Sequence, residues 1–501
     1  MATGVVIDGP GWCEPGLDVR GGRYPLAVES AVLRMVDVLV PGVSTLTGSA
    51  RSFSLYWALA DYAGRHDLDA AACRQLVRRS EVALAWLSNT YGTGSAHGAV
   101  SVASLIAKGS SEMMAEQRQG SYSPRPWGFW SQYGGPSVTL GAVSVNKRAL
   151  RPGRIPCPGQ VAALFAGLFD ICRIRPVRES DLAGLAGLGD DIGPDSVDSV
   201  WLRNLLLGRG EDAGSGSGNA ETRWAAFRIL GRCVQLSGSA SGWTDILRRA
   251  VAYGEHLATD PVLAEETRAQ AWRGTLLRHR TVGAWRVLWA ELVDRVLETG
   301  AGVTKDDLHE WIRASVPTST VRHLVEDLPD TLDSRGHPAR AEDHVEDRAR
   351  PIESRLAILL LGAQRDRELT GTVLEAFRGG RRNTKQFLDP QWVRHQRDAH
   401  LDRNVGDLAC ALVDDMLAQS QRVALRKTRL DHSTGQLMMF SKLHRREDVF
   451  FASGASEGRG NVGLRTEQLG ALATQLGVFD VADSGTPTVT PGGAIELQLP
   501  R

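Results

Sequence analysis

The sequence predicts a mainly α, multi-helical protein with one or two winged-helix-like units that carry short β-hairpins. Three observations point there. Apolar residues recur at three- and four-residue spacings through most of the chain, the period of a helix buried on one face. Gly- and Pro-rich breaks separate those stretches. Near the C-terminus a helix-patterned segment stops at a glycine, and two short apolar runs follow around a Ser-Gly-Thr-Pro turn.

From Pro25 to Leu39, the residues Leu26, Val28, Ala31, Val32, Met35, Val36 and Leu39 fit one helical face, and Pro41-Gly42 ends it. A second helix is expected from about Ser49 to Tyr62, aromatic on the side of Phe53, Tyr56 and Trp57. A third spans about Asp69 to Leu87. Between 120 and 160 short apolar pieces alternate with Gly and Pro turns. Val161 to Asp170 is helical again, and a Gly- and Asp-rich stretch leads into a helix over Ser196–Leu207. Residues 208–220, GRGEDAGSGSGNA, have the composition of a flexible linker.

Over 222–325 the pattern is strongly helical. Trp272, Leu276, Trp285, Leu288, Trp289 and Leu292 form a stripe suited to a core. Residues 328–350 are polar and aperiodic, which predicts a loop. Helices resume over 351–377 and 391–427. The last helix, Thr466 to Leu476, stops at Gly477, and Val478–Val481 and Thr488–Thr490 read as two strands. The expected domains are an N-terminal helical domain over 1–160 with a possible winged-helix-like end, a helical middle domain over 161–327, and a C-terminal domain over 351–501.

An internal echo accompanies this. Leu140-Gly141-Ala142-Val143 and Leu150-Arg151-Pro152-Gly153 resemble Leu476-Gly477-Val478-Phe479 and Val489-Thr490-Pro491-Gly492. Two winged-helix-like units would produce it, and so would two unrelated Gly-rich hairpins.

At 501 residues the chain exceeds one ordinary core. Its 42% hydrophobic and 23% charged residues describe a globular protein, and its formal net charge is zero. A nucleic-acid surface must then be a local patch. The six cysteines form no CxxC pair and no zinc spacing, which suits reduced thiols. The opening MATGVVIDGPGWCEPG lacks a basic region followed by an apolar one, so no secretion signal is expected. No run approaches the roughly 18 apolar residues of a membrane span. A cytoplasmic protein without a membrane partner is the expectation.

Three basic clusters are candidate nucleic-acid contacts. Arg378, Arg381, Arg382 and Lys385 converge on a Gly-Gly turn, where backbone approaches phosphate closely. Arg422, Arg426 and Lys427, with Arg429, end a long helix, and Arg422 and Arg426 share a face. Lys442, His444, Arg445 and Arg446 form the third. Solvated loops and helix-end cations would give the same pattern. The candidate recognition helix, TEQLGALATQLG, offers Thr466, Glu467, Gln468, Thr474 and Gln475, with Arg465 at its start. That face is poor in positive charge, so inward packing or protein docking competes with base reading.

No catalytic residue can be named. Asp190, Asp191, Asp195 and Asp198 crowd one loop, but their spacing is not that of a calcium loop, and Asp195 or Ser196 suits a helix cap. HExxH and GxxxxGK[ST] patterns do not occur, and no GxGxxG follows a predicted strand. No metal and no cofactor are expected.

Residues 40–62, VPGVSTLTGSARSFSLYWALADY, carry the most distinctive pattern. Pro41-Gly42 forces a turn, Thr45 or Thr47 can cap the next helix, and Arg51 falls near Tyr56 and Trp57. An Arg-aromatic stack supporting the fold is one role for that group, and a phosphate or partner contact is another. Pro41, Gly42, Thr45, Thr47, Arg51 and Phe53 resemble the N-terminal motif of a bacterial protein family encoded in phage-defence and restriction-type gene clusters. Gly48 and Ser49 depart from it. The resemblance implies a non-enzymatic DNA-binding or scaffolding component of an antiphage or DNA-processing system. It would act beside a helicase, ATPase or methylase. A divergent metal-dependent nuclease, with its acidic site in 170–200 or 328–350, and a protein-only adaptor are the alternatives.

Overall fold

The computed structural model describes residues 18–20, 23–107, 128–175, 177–189, 192–193, 195–209, 218–237, 241–346, 351–380, 387–430, 437–452 and 457–500. The fold is mainly α, with small sheets. Its principal helices, in chain order, are α1 (Ser30–Leu39), α2 (Ala50–Arg65), α3 (Ala70–Tyr91), α4 (Gly134–Leu140), α5 (Gly159–Ile174), α6 (Ser199–Leu207), α7 (Gly218–Ser237) and α8 (Trp243–Leu247). They continue with α9 (Thr267–Thr299), α10 (Ala341–Glu346), α11 (Pro351–Glu368), α12 (Gly371–Phe377), α13 (Pro390–Ala399), α14 (Val405–Lys427), α15 (Thr466–Gln475) and α16 (Pro491–Glu496). The strands are β1 (Asp18–Arg20), β2 (Val143–Asn146), β3 (Ala149–Pro152), β4 (Val303–Thr304), β5 (Arg429–Leu430), β6 (Leu437–Phe440), β7 (Leu443–Arg446), β8 (Val449–Ala452), β9 (Phe479–Val481) and β10 (Pro487–Val489). Among the described residues no helix is long and apolar enough to cross a membrane.

The chain forms two compact units, each assembled from separated stretches. One comprises 1–35, 251–260 and 269–462, and the other 36–250, 261–268 and 463–501. The second unit is therefore left near Ala250 and completed only after Gly463.

In that second unit α2 is buried along almost its whole length. Phe53 and Tyr56 pack against Tyr133 and Phe129, with ring centroids 5.2 Å apart in the pairs Phe53–Tyr133 and Tyr56–Phe129. Tyr62 meets Phe169 of α5 edge-on at 5.3 Å. The next helix, α3, is capped by Asp69, whose side chain accepts from the Ala71 and Ala72 N–H groups.

The echo in the sequence has a physical basis in two matching segments. α4 ends at Gly141 (φ 82°), whose N–H reaches Val138 O while the Ala142 N–H reaches Ser137 O. α15 ends at Gly477 (φ 68°), whose N–H reaches Thr474 O while the Val478 N–H reaches Ala473 O. This left-handed cap satisfies the last carbonyls of a helix and favours glycine. Each cap leads into an antiparallel hairpin, β2–β3 or β9–β10, and each hairpin closes alike: Gly153 N donates to Ala142 O and Thr490 N to Val478 O. Gly153 therefore corresponds to Thr490, and Pro491-Gly492 begins α16 instead of matching Pro152-Gly153. The tips differ. Lys147 and Arg148 form a two-residue turn with φ of 47° and 64°, whereas the second hairpin turns through Asp483, Ser484 and Gly485. The first hairpin packs on α2 and the second on α7.

The first unit is organised on α9, 33 residues long, whose Trp272, Trp285 and Trp289 are buried. Gly274 and Gly362 allow close helix packing: a Cβ on Gly274 would lie 2.1 Å from Val373 O, and one on Gly362 2.3 Å from Thr281 Cγ2. The same unit holds two three-stranded sheets, in the orders β1-β6-β5 and β4-β8-β7, in which only the β1–β6 pair is parallel.

The stretch expected to be a loop at 328–350 contains α10. It has no helical period because its conformation is imposed by partners. Arg365, fully buried, donates from Nε and Nη2 to the Glu342 carboxylate at 2.6 and 2.7 Å, and to Thr331 O and Ala339 O at 3.0 and 2.8 Å. The stretch read as a linker at 208–220 is ordered at both ends: Gly208 caps α6 and Gly218 starts α7, while 210–217 lie outside the described residues.

Candidate nucleic-acid interface

The arginines expected to meet phosphate do not behave as one group. Arg378, just past α12, turns back into the fold. Its Nε and Nη2 donate to the two carboxylate oxygens of Asp366 at 2.7 and 2.9 Å, and Asp366 is buried. Those hydrogen bonds raise the Arg378 pKa, and Arg394 lies 3.8 Å from the same carboxylate. Gly379 and Gly380 do adopt positive φ, but the close approach at Gly379 is to Ala31, 2.9 Å from where a Cβ would sit. Arg381, Arg382 and Lys385 lie outside the described residues.

Lys427 is also committed. Its Nζ donates to Arg23 O and Tyr24 O, and burial lowers its pKa. In the third cluster Arg445 pairs with Asp448 at 2.6 Å, Lys442 lies 3.9 Å from Glu457, and His444 stacks on Phe451. These side chains shape the β7–β8 hairpin, which sequence reasoning missed because its basic residues resembled a surface patch.

Arg422 and Arg426 are different. Both are exposed, one helical turn apart on α14. The Arg422 guanidinium sits 4.5 Å from the centre of the Phe387 ring, and Phe387 rests on Trp392 at 4.4 Å. Arg429, exposed in β5, lies 5.0 Å over the Phe440 ring. Among the described residues none of the three forms an ion pair. The nearby carboxylate of Asp415 accepts from Trp392 Nε1 and Gln396 Nε2, both at 2.8 Å. A guanidinium stacked on a ring is held flat while its N–H edge stays open to an oxyanion.

The 40–62 motif builds the core of its unit. Arg51 and Ser54 converge on buried Asp198, Arg51 Nε at 3.3 Å and Ser54 Oγ donating at 2.6 Å. The Tyr56 hydroxyl donates to Glu81 Oε1 at 2.9 Å, and the Phe129 N–H donates to the same oxygen at 2.7 Å. Burial pushes the Glu81 carboxyl up to about 7, against those two hydrogen bonds and the charge of Arg78. Trp57 Nε1 donates to Ile155 O at 3.1 Å. Neither Thr45 nor Thr47 caps α2: its N-cap is Ser49, and Thr47 instead closes a turn with Ser44. Likewise neither Asp195 nor Ser196 caps α6; its N-cap is Asp198, whose carboxylate faces Arg51. The pairing across 147 residues of chain explains why the sequence hid it.

The expected recognition helix is tied into its own unit. Thr466 is buried, with Oγ1 2.5 Å from that of Thr244, and Glu467 accepts from the Thr244 N–H. Gln475 accepts from Ala50 N and donates to Gly48 O. Arg465 donates to Val43 O and pairs with Asp37. Little of α15 is left to read a base edge. Among the described residues no three His, Cys, Asp or Glu side chains gather as metal ligands; Asp190 and Asp191 lie outside them. No family model, curated protein or solved structure matches the chain.

Proposed function

We propose that this chain is a non-enzymatic DNA-binding component of a bacterial antiphage or DNA-processing system. The observation that carries the binding is the row of Arg422, Arg426 and Arg429. They are exposed and unpaired among the described residues, and two of them are braced on aromatic rings. Such a row suits backbone phosphates, which give affinity without sequence preference.

The α4–β2–β3 and α15–β9–β10 segments are read as two winged-helix units. Lys147 and Arg148, exposed at the tip of the first wing, suit a second phosphate contact. The commitments of Thr466, Glu467 and Gln475 favour α15 as a structural helix over a reader. Membership of a defence system rests on the resemblance of residues 40–62, and so does a helicase, ATPase or methylase partner.

Gel-shift titrations of duplex DNA across a salt series test the binding. The affinity of the unmodified protein is expected to fall steeply with salt. The double variant Arg422→Ala, Arg426→Ala is expected to bind more weakly on every sequence, with the logarithmic salt slope reduced by about 1.8, roughly 0.9 per lost phosphate contact. Affinity indifferent to salt, or an unchanged double variant, would remove the DNA reading and leave the protein adaptor.

A further inference from the structure

The second unit contains a cleft of about 420 Å³ whose lining includes Arg154, Arg209 and Arg223, the indole rings of Trp57 and Trp201, and, among the described residues, no carboxylate. We propose that this cleft is a binding site for a nucleoside monophosphate, as a free nucleotide or as an unpaired nucleotide of a strand.

The cationic side is built by the fold. Gly208 takes a left-handed conformation (φ 66°) at the end of α6, and this turn delivers Arg209 to the cleft, where its guanidinium is fixed on Glu496 O. Arg223, 3% exposed, closes the α6 C-terminus by donating to Leu205 O and Leu206 O at 3.1 and 2.7 Å. Among the described residues it has carbonyl partners and no ion pair. A guanidinium buried against carbonyls alone leaves its charge uncompensated. Burial and the charge of Arg154 accordingly lower its pKa to about 10. An anion in the cleft would relieve that repulsion.

The N-terminus of α5 adds to the same field. Its N-cap is Pro158, which offers no capping side chain, and Gly159 and Gln160 line the cleft. Uncapped first-turn N–H groups favour phosphate. The aromatic side supplies surfaces for a planar group. Trp57 is buried and fixed by its bond to Ile155 O, and Trp201 is half-buried. Bases stack on such rings whatever their identity. The volume also falls in the range of small-molecule sites, roughly 300–1,000 Å³.

Isothermal titration calorimetry on the full chain tests this with adenosine and cytidine monophosphates, a 5′-phosphorylated oligonucleotide, adenosine alone and inorganic phosphate. Saturable binding of a mononucleotide or of the oligonucleotide is expected, with adenosine and phosphate at least tenfold weaker. Binding by mononucleotides assigns the ligand to the free pool, and binding by the oligonucleotide alone assigns it to a strand. Arg154→Ala and Arg209→Ala should each weaken binding at least tenfold without moving the melting temperature by more than a few degrees. Arg154 is exposed, so its substitution leaves the core intact. The inference falls if neither nucleotide probe binds at millimolar concentration, if phosphate binds as well as the nucleotides, or if Arg154→Ala binds unchanged. These outcomes are independent of the α14 variants, whose arginines lie in the other unit.

Discussion

Glu81 shows how burial decides what a charged residue does. Its carboxyl is buried and accepts from the Tyr56 hydroxyl and the Phe129 N–H, and Gly128 packs so close that a Cβ there would come within 2.1 Å of Oε1. The folded pKa of about 7 exceeds the ordinary 4.5. The neutral form is therefore the one favoured by folding. Its contribution is fully present below about pH 4.5 and is lost as pH rises through about 7. The gap corresponds to about 3 kcal/mol. Urea unfolding of the wild type should show stability falling over that window, and Glu81→Gln should remove most of the fall. An equal slope in the variant would place its origin elsewhere. The same criterion separates the arginines. Arg378 and Arg51 face the buried carboxylates of Asp366 and Asp198, whereas Arg422 and Arg426 face solvent. Sequence proximity grouped Arg378 with phosphate binders, because a carboxylate twelve residues away is invisible to local charge counting.

At the scale of the element, the two helix–glycine–hairpin segments were largely legible. Glycine stops and turn residues act locally, so the pattern at 476–490 specified α15, β9 and β10 to within two residues. What stayed hidden were the elements shaped by distant partners. α10 depends on Arg365, and the β7–β8 hairpin lies in a stretch whose charges dominate its pattern. The α8–α15 contact is of that distant kind. Gly470 lies beneath the Trp243 ring, and a Cβ there would come within 2.2 Å of it. Gly470→Ala is expected to lower stability by about 1–3 kcal/mol through overpacking. Gly135→Ala, with nothing among the described residues within 4 Å of its new Cβ, should be neutral or stabilising by up to about 1 kcal/mol. Chemical denaturation of both variants gives the comparison, and equal effects would refute the role assigned to the Trp243 contact.

At the scale of the whole molecule, the chain was readable as many helices and not as two interleaved units. Periodicity reports which face of a helix is buried and says nothing of which helix covers it. Nothing around Ala250 or Gly463 marks the points where the chain leaves one unit and rejoins it. The candidate interface was legible in part for the same reason: Arg422 and Arg426 share a helix, while the cleft joins Arg154, Arg209 and Arg223 from separate segments. A chain ending at Val462 would lack α15, β9, β10 and α16, along with Leu497 and Leu499, which lie against Gly231 of α7. Such a truncation is expected to lose cooperative unfolding of the second unit and to bind a hydrophobic dye. A single sharp melting transition with no dye binding would refute the dependence.

The left-and-rejoined path also sets a timetable. During synthesis Trp243 emerges near the midpoint, but Gly470 and Phe479, which lie against its ring, leave the ribosome some 230 residues later. At typical elongation rates of about 5–20 residues per second, the indole waits on the order of ten seconds or more without its cover. Nascent chains would present that apolar face to chaperones throughout the interval. Rare codons or stalls placed between Ala250 and Gly463 should therefore lengthen the vulnerable period far more than stalls placed before it.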